Sequence, residues 1–412
     1  MISGTTAVSA STLPREASLR NAGALVLGAN YRALGIVRSL GRRGIPVWIV
    51  RGRGDLLATT SRFVQRNLIW PEGSEQDRVN FLLQIFEGST SDFWQLFPTD
   101  DNHVAMIARH HQALSQRFTL TTPTWDCLRW AYDKRLTYSL AHKLGIAYPR
   151  TYYPHSRKDL EEYDLDFPVI LKPAFRRNLN RFTAAKAWQV DDRQSLLQRF
   201  DEAAALAPPD TVMVQQLIRG DGNSQFSYAC LAKNGRPLAS LVARRLRQIP
   251  MDFGRFSTYV ETVEEQGVVG PATSFLSAVG FTGIVEIEFK RDPADGIFKL
   301  LDVNPRVWGW LTLCGRAGID FPYLLWLLLQ GHPIPETTAR TGVRWIRASA
   351  DLPVALLEIF RGKLSARSYL RSLSGPIEDA VFKIGDPVPG MLELPLTAYA
   401  KWRQHSRLRD NR

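Results

Sequence analysis

The stretch that most constrains this chain runs from Gly283 to Arg306: a strand-like GIVEIEFK, a turn over Asp292 to Gly296, and a returning FKLLDVNPR. Strand side chains alternate between two faces, so Val285, Ile287 and Phe289 share one face while Glu286 and Glu288 share the other. On the returning strand the same period separates Leu301 and Val303 from Asp302 and Asn304. A hairpin with one apolar face and one oxygen-rich face is therefore expected. Carboxylates drawn together in a mostly apolar sheet repel one another and lose hydration unless a cation neutralises them. Magnesium meets that need, because it takes a few protein oxygens and completes its octahedron with nucleotide phosphate and water; Glu288, Asp302 and Asn304 are the candidate ligands. Arg306 follows directly, and its planar fork suits a phosphate or a carboxylate. An ordinary hairpin with its polar face in solvent would show the same alternation, so the choice rests on the rest of the chain.

Upstream, Ala24 to Gly28 reads as a buried strand, Arg32 to Arg43 as a helix and Pro46 to Val50 as a second strand, which makes a βαβ unit. A helix over Gln76 to Glu87, a strand over Phe93 to Pro98 and a helix over Asn102 to Leu114 extend it into an open parallel sheet. This α/β domain is placed at about 21–125, after a lead-in over 1–20 that reads as disordered. The pattern changes after Pro123. A helix from Asp133 to Leu144, the strand Pro168 to Lys172, a short strand Lys186 to Val190, a helix Ser195 to Ala205 and the strand Val212 to Ile218 follow. Two strand-like runs around Asn234-Gly235 carry the strongest short hairpin signal, and a helix over Gly270 to Val279 precedes the acidic hairpin. Strands mixed with helices predict an α+β second domain over 126–335, leaving 336–412 as a C-terminal extension whose role the sequence leaves open.

At Asp302-Val303-Asn304-Pro305-Arg306 the hairpin resembles the metal-binding hairpin of the ATP-grasp superfamily, such as biotin carboxylase and the carbamoyl phosphate synthetase large subunit. That resemblance implies magnesium on Glu288, Asp302 and Asn304, with Arg306 in the reaction site as a substrate or phosphate contact. Other positions match in the family's order. Asp133-Lys134 opening a helix and Lys172 closing a strand resemble the two basic residues that grip ATP phosphates. Gln215, Gln216, Leu217 and Ile218 resemble the hinge strand that recognises adenine, with Gln215 where the family usually has Glu. Arg245, in the run Arg244-Arg245-Leu246-Arg247, resembles the arginine that reaches the transferred phosphoryl group, although a solvated charge run is the plainer reading. The likeness further implies a pre-ATP-grasp α/β domain ahead of an ATP-grasp domain whose lid spans about 150–212. Segments Asn180 to Ala187 and Asp302 to Trp310 most resemble predicted carboxylate-amine ligases.

One departure stands out. Many members carry a glycine-rich loop after the lysine of Lys172 type, whereas this chain reads Ala174-Phe175-Arg176-Arg177-Asn178-Leu179-Asn180-Arg181, with no glycine to let backbone N–H groups cradle a phosphate. Together with Gln215 this also fits a module that holds ATP and catalyses nothing. A dinucleotide site on the first domain is disfavoured, because Gly28-Ala29-Asn30 breaks the G-x-G fingerprint and Arg51 follows the second strand in place of an acid. Asp100 and Asp101 end a strand where such sheets place ligands, though they equally suit a helix cap.

Composition narrows the remaining choices. With 412 residues and 45% hydrophobic content the chain can bury a real core. Lys and Arg number 52 against 40 Asp and Glu, a net charge of +12 that favours acidic partners, yet no nucleic-acid-reading motif is present. Cys127, Cys230 and Cys314 have neither disulfide nor zinc spacing, which fits a reducing cytoplasm. The most apolar run, Phe321 to Leu329, is far short of the ~20 residues a membrane span needs. The sequence thus predicts a cytoplasmic ligase that uses ATP and magnesium to join a small-molecule carboxylate to an amine.

Overall fold

The computed structural model describes residues 22–86, 93–175, 180–184, 187–220, 222–249 and 256–410. The lead-in 1–20 and the four residues Arg176, Arg177, Asn178 and Leu179 of the glycine-free loop lie outside this set. Five strands, β1 (Ala24–Leu27), β2 (Val47–Arg51), β3 (Val64–Ile69), β4 (Trp94–Pro98) and β5 (Phe118–Leu120), form a parallel sheet in the order β3-β2-β1-β4-β5. This is the open α/β sheet that the hydrophobic runs predict. The chain reverses its direction of travel between β1 and β4, the crevice where such sheets offer ligand sites. Gly28, at φ 106° after β1, turns the chain there, and a Cβ would stand 2.3 Å from Thr99 Oγ1. The helix Tyr31–Gly41 then starts under a cap from Asn30, whose side chain accepts from the Arg32 and Ala33 amides.

A small antiparallel sheet follows, ordered β6-β9-β7-β8 from β6 (Thr151–Tyr152), β7 (Val169–Pro173), β8 (Trp188–Val190) and β9 (Val212–Gln216). The large sheet has seven strands: β10 (Gln225–Lys233), β11 (Arg236–Ile249), β12 (Phe256–Val263), β13 (Gly283–Arg291), β14 (Phe298–Asn304), β15 (Arg344–Ile346) and β16 (Ile377–Asp379), in the order β14-β13-β10-β11-β12-β15-β16. The β10–β11 turn uses Asn234 and Gly235 at φ 50° and 78°, the left-handed pair that a two-residue hairpin needs.

The segment beyond 335 is no appendage. β15 pairs with β12, β16 pairs with β15, and Trp345 is fully buried in the same core as Leu34 and Ile36 of the first domain. Trp308 and Trp310 lie in that core as well, their rings 5.3 Å apart and tilted by 49°. Near the C-terminus, Asp386 accepts from Arg38 Nε at 2.8 Å and from the Ser61 hydroxyl at 2.7 Å, which closes the C-terminal segment onto the first domain.

Candidate active site

The acidic hairpin forms in the expected place, but with a bulge that alternation alone does not show. β13 and β14 pair Glu286 with Asn304 and Glu288 with Asp302, then the register slips so that Phe289 faces Leu300. An extra residue on one strand re-aims its side chains. Leu300 therefore takes the apolar side, fully buried with Val303, while Leu301 joins Asp302 on the cleft wall. This corrects the expected grouping of Leu301 with Val303.

Two adjoining clefts meet along this hairpin. The smaller is lined by Lys172 of β7, by Gln215, Gln216, Leu217 and Ile218, by Leu301, and by Glu288 and Asp302. The larger carries Arg32, Asp100, Asp101, Lys134, Asn304 and Arg306. Lys172, Glu288 and Asp302 line both. Residues spread from 134 to 306 are thus gathered because β7 and β9 of the small sheet face β13 and β14 of the large one.

The electrostatics explain how so many charges share one place. Lys134, delivered by the helix Lys134–Lys143 that Asp133 caps, is ion-paired with Asp302. Arg245 is buried and lies 3.3 Å from Glu288, so the expectation of a solvated run fails there. Its neighbours differ: Arg244 pairs with Glu261 across β11 and β12, and Arg247 is buried against Asp351 at 2.7 Å. Glu286 is buried too, accepting from Trp310 Nε1 at 3.0 Å and from Asn304 Nδ2 at 3.2 Å. Burial and the adjacent Glu288 charge push its carboxyl up to about 7.

Asn304 bridges the cluster. Its Nδ2 donates to Glu286 and Glu288, and its Oδ1 accepts from Arg306 Nη2 at 3.1 Å. The amide nitrogen, rather than the oxygen, thus faces the glutamates; a cation between Glu288 and Asp302 would call for the amide to turn over. Among the described residues no group of three or more His, Cys, Asp or Glu has metal-holding geometry. The donor set is two carboxylates and one amide on a cleft wall, which suits an ion that draws its remaining oxygens from phosphate and water.

Arg306 grips the first domain, its Nε 2.6 Å from Asp101 Oδ1. Burial alone would raise the Asp101 carboxyl, but the charge and hydrogen bonds of Arg306 outweigh it and hold it low. Asp100 caps the helix Asp101–Arg109 by accepting from the His103 amide, so the two acids divide the roles the sequence left open. At the hinge, Gln215 Oε1 accepts from Lys172 Nζ at 3.0 Å and its Nε2 donates to Thr151 at 2.8 Å. The Gln215 amide oxygen meets that lysine because β7 and β9 run side by side. Lys290, absent from the sequence-based candidates, donates to the carbonyls of Ile218 and Gly220 at 2.9 and 2.8 Å and fixes the hinge exit. The same period of two that singled out Glu286 and Glu288 also points to Lys290.

Comparison with known proteins was made on this footing. Residues 209–349 match the family model described as ATP-grasp in the biosynthetic pathway with Ter operon. D-aspartate ligase of Enterococcus faecium is 23% identical over 305 residues, which cover 68% of this chain and 70% of that protein. The carbamoyl phosphate synthase large chain of a Thermotoga species is 22% identical over 326 residues, covering 74% of this chain but only 28% of the synthase. Among solved structures, the L-amino acid ligase of Bacillus licheniformis superposes with a TM-score of 0.60 at 16% identity, with 79% of each chain covered. No helix among the described residues is long and apolar enough to cross a membrane.

Proposed function

We propose that this chain, a member of the ATP-grasp superfamily, is a carboxylate-amine ligase that spends ATP to form an amide or peptide bond through an acyl phosphate. The observation that carries the reading is the shared wall: Lys172, Glu288 and Asp302 border both clefts, so a nucleotide in one can hand its terminal phosphoryl group to a substrate in the other. The smaller cleft suits adenine, with the Gln216–Ile218 backbone along one side and Leu301 beneath. Lys134 and Lys172 reach toward phosphate oxygens. A magnesium ion held by Glu288, Asp302 and Asn304 would neutralise charge between the phosphates and release Lys134 from Asp302.

In the larger cleft Arg306 orients the carboxylate to be activated, and Asp101 holds that guanidinium in place. Arg245, held against Glu288, stabilises charge that builds on the moving phosphoryl group. The carboxylate oxygen takes the terminal phosphoryl group of ATP and ADP leaves; an amine then displaces phosphate from the acyl phosphate, giving the amide, phosphate and a proton. Positioning and charge neutralisation account for most of such a transfer, and this site has both. Two of the resembling proteins are ligases named for amino acids, so amino acids are the substrates to try first.

The test is a coupled ADP-release assay with magnesium and ATP over a panel of paired amino acids and other small acids and amines. ADP release that needs both partners, with a new amide seen by mass spectrometry, is the expected outcome. Tight ATP binding by calorimetry with no release across the panel would instead favour a non-catalytic nucleotide-binding module.

A further inference from the structure

Outside the clefts, the helix Ala348–Phe360 is built the wrong way round for one that meets water. Its carboxylates point inward: Asp351 is fully buried against Arg247 and Glu358 is buried beside Arg361. Its outward arc is apolar. Leu352, Leu356 and Phe360 recur every four residues, with Leu357 at the edge, and all are exposed, Phe360 to 90%. At 100° per residue these positions span about 140° of the helix circumference. Nothing among the described residues covers them.

The following segment is exposed as well. Leu370, on the helix Ala366–Ser372, is 67% exposed. Arg361, Lys363, Arg367 and Arg371 are exposed around it, and no exposed carboxylate occurs between 348 and 372. An apolar stripe followed by cations, in a stretch with no exposed carboxylate of its own, is the composition of a helix that lies in a membrane interface, its leucines and phenylalanine among acyl chains and its cations at headgroup phosphates. A second copy of this chain fits less well. A two-fold contact through this face would bring both sets of cations together, and 348–372 offers no exposed acid to match them.

We propose that the 348–372 face docks this protein peripherally on a bilayer bearing anionic phospholipid, without spanning it. The proposal stands apart from the catalytic reading, since no residue of 348–372 lines either cleft. Docking would hold the ligase beside membrane-associated acceptors or donors.

The experiment is sedimentation of the full-length protein with vesicles of phosphatidylcholine alone or mixed with phosphatidylglycerol at about 3:1, a ratio that gives a negative surface. Binding only to the mixed vesicles, weakened by salt, is expected. Leu356→Asp/Phe360→Asp should abolish it, and Arg367→Glu/Arg371→Glu should lower it by at least about fivefold per residue changed. Because these side chains are exposed, both double variants should melt within a few degrees of the parent, which separates lost docking from lost folding. Failure to bind anionic vesicles, or equal binding by the variants, overturns the proposal. So does a concentration-dependent dimer in analytical ultracentrifugation that Leu356→Asp/Phe360→Asp disrupts, which would assign the face to self-association.

Discussion

Charge placement within a few ångströms decides what each residue of the clefts can do. Asp302 lies on the shared wall and holds Lys134, so Asp302→Ala removes a proposed metal oxygen and frees a lysine that is only partly buried. Its expected signature is a fall of roughly 10²-fold or more in ADP release, with a melting temperature close to the parent's. Turnover that survives would remove Asp302 from the metal site. Arg306 makes a different prediction. Its Nε and Nη2 both meet Asp101 while Nη2 also meets Asn304, a planar arrangement that a lysine cannot copy. Arg306→Lys should therefore raise KM for the carboxylate by about tenfold, the cost of one lost charge-assisted hydrogen bond, and leave KM for ATP unchanged. A rise in KM for ATP instead would place Arg306 on the nucleotide. The sequence made most of these side chains legible because a charged residue at a strand or helix end has few uses inside a core. What it hid was partnership. Gln215 turned to Lys172, and Arg245 to Glu288, because strands far apart in sequence share a sheet.

Elements were readable where periodicity and turn signals were clear. The acidic hairpin and the capped helices up to Val279 came out near their true bounds, whereas β12 and the long helices Ala348–Phe360 and Val388–Asp410 were not anticipated, and β15 and β16, three residues each, are too short for a period of two to register. The bulge at Leu301 was equally invisible, since it arises from how two strands pair and not from either strand alone. At this scale the C-terminal closure makes its own prediction. Arg38 and Asp386 are both buried, and Arg38 also donates to the Val381 and Asp386 carbonyls. Removing one partner leaves the other charge buried and unmatched, so Asp386→Ala should cost about 3–5 kcal/mol in denaturant unfolding. Burial alone would raise the Asp386 carboxyl, but Arg38, the Ser61 hydroxyl and the Arg62 amide outweigh it and hold it below the ordinary range. A carboxyl lowered in the folded state adds stability that is full above its unfolded value near 3.9 and fades as pH falls through the lower folded one. The parent should thus lose stability below about pH 4 more steeply than Asp386→Ala, and identical acid profiles would show that this pair is not the titrating contact.

At the scale of the whole molecule, the question is whether the part that resembles ATP-grasp proteins can stand without the segment that follows it. The family-model match ends at 349, which would suggest a natural cut soon after the acidic hairpin and its helices. The packing argues otherwise. Cutting after Pro335 strips β15 and β16 from the large sheet and takes Trp345 and Val381 from the core shared by both domains. It also leaves the buried guanidiniums of Arg38 and Arg247 without Asp386 and Asp351. Losing a buried tryptophan costs about 3–5 kcal/mol, and stranding each of two buried charges costs about as much again. Together these reach the ~5–15 kcal/mol that holds a typical domain folded. A chain ending at Pro335 should therefore be insoluble or lack a cooperative melt, even though it keeps every residue of both clefts, and ATP should not rescue it. A soluble fragment that melts cooperatively and binds ATP as the parent does would show that the two domains close their core without the C-terminal strands, and would confine that segment to the surface it presents.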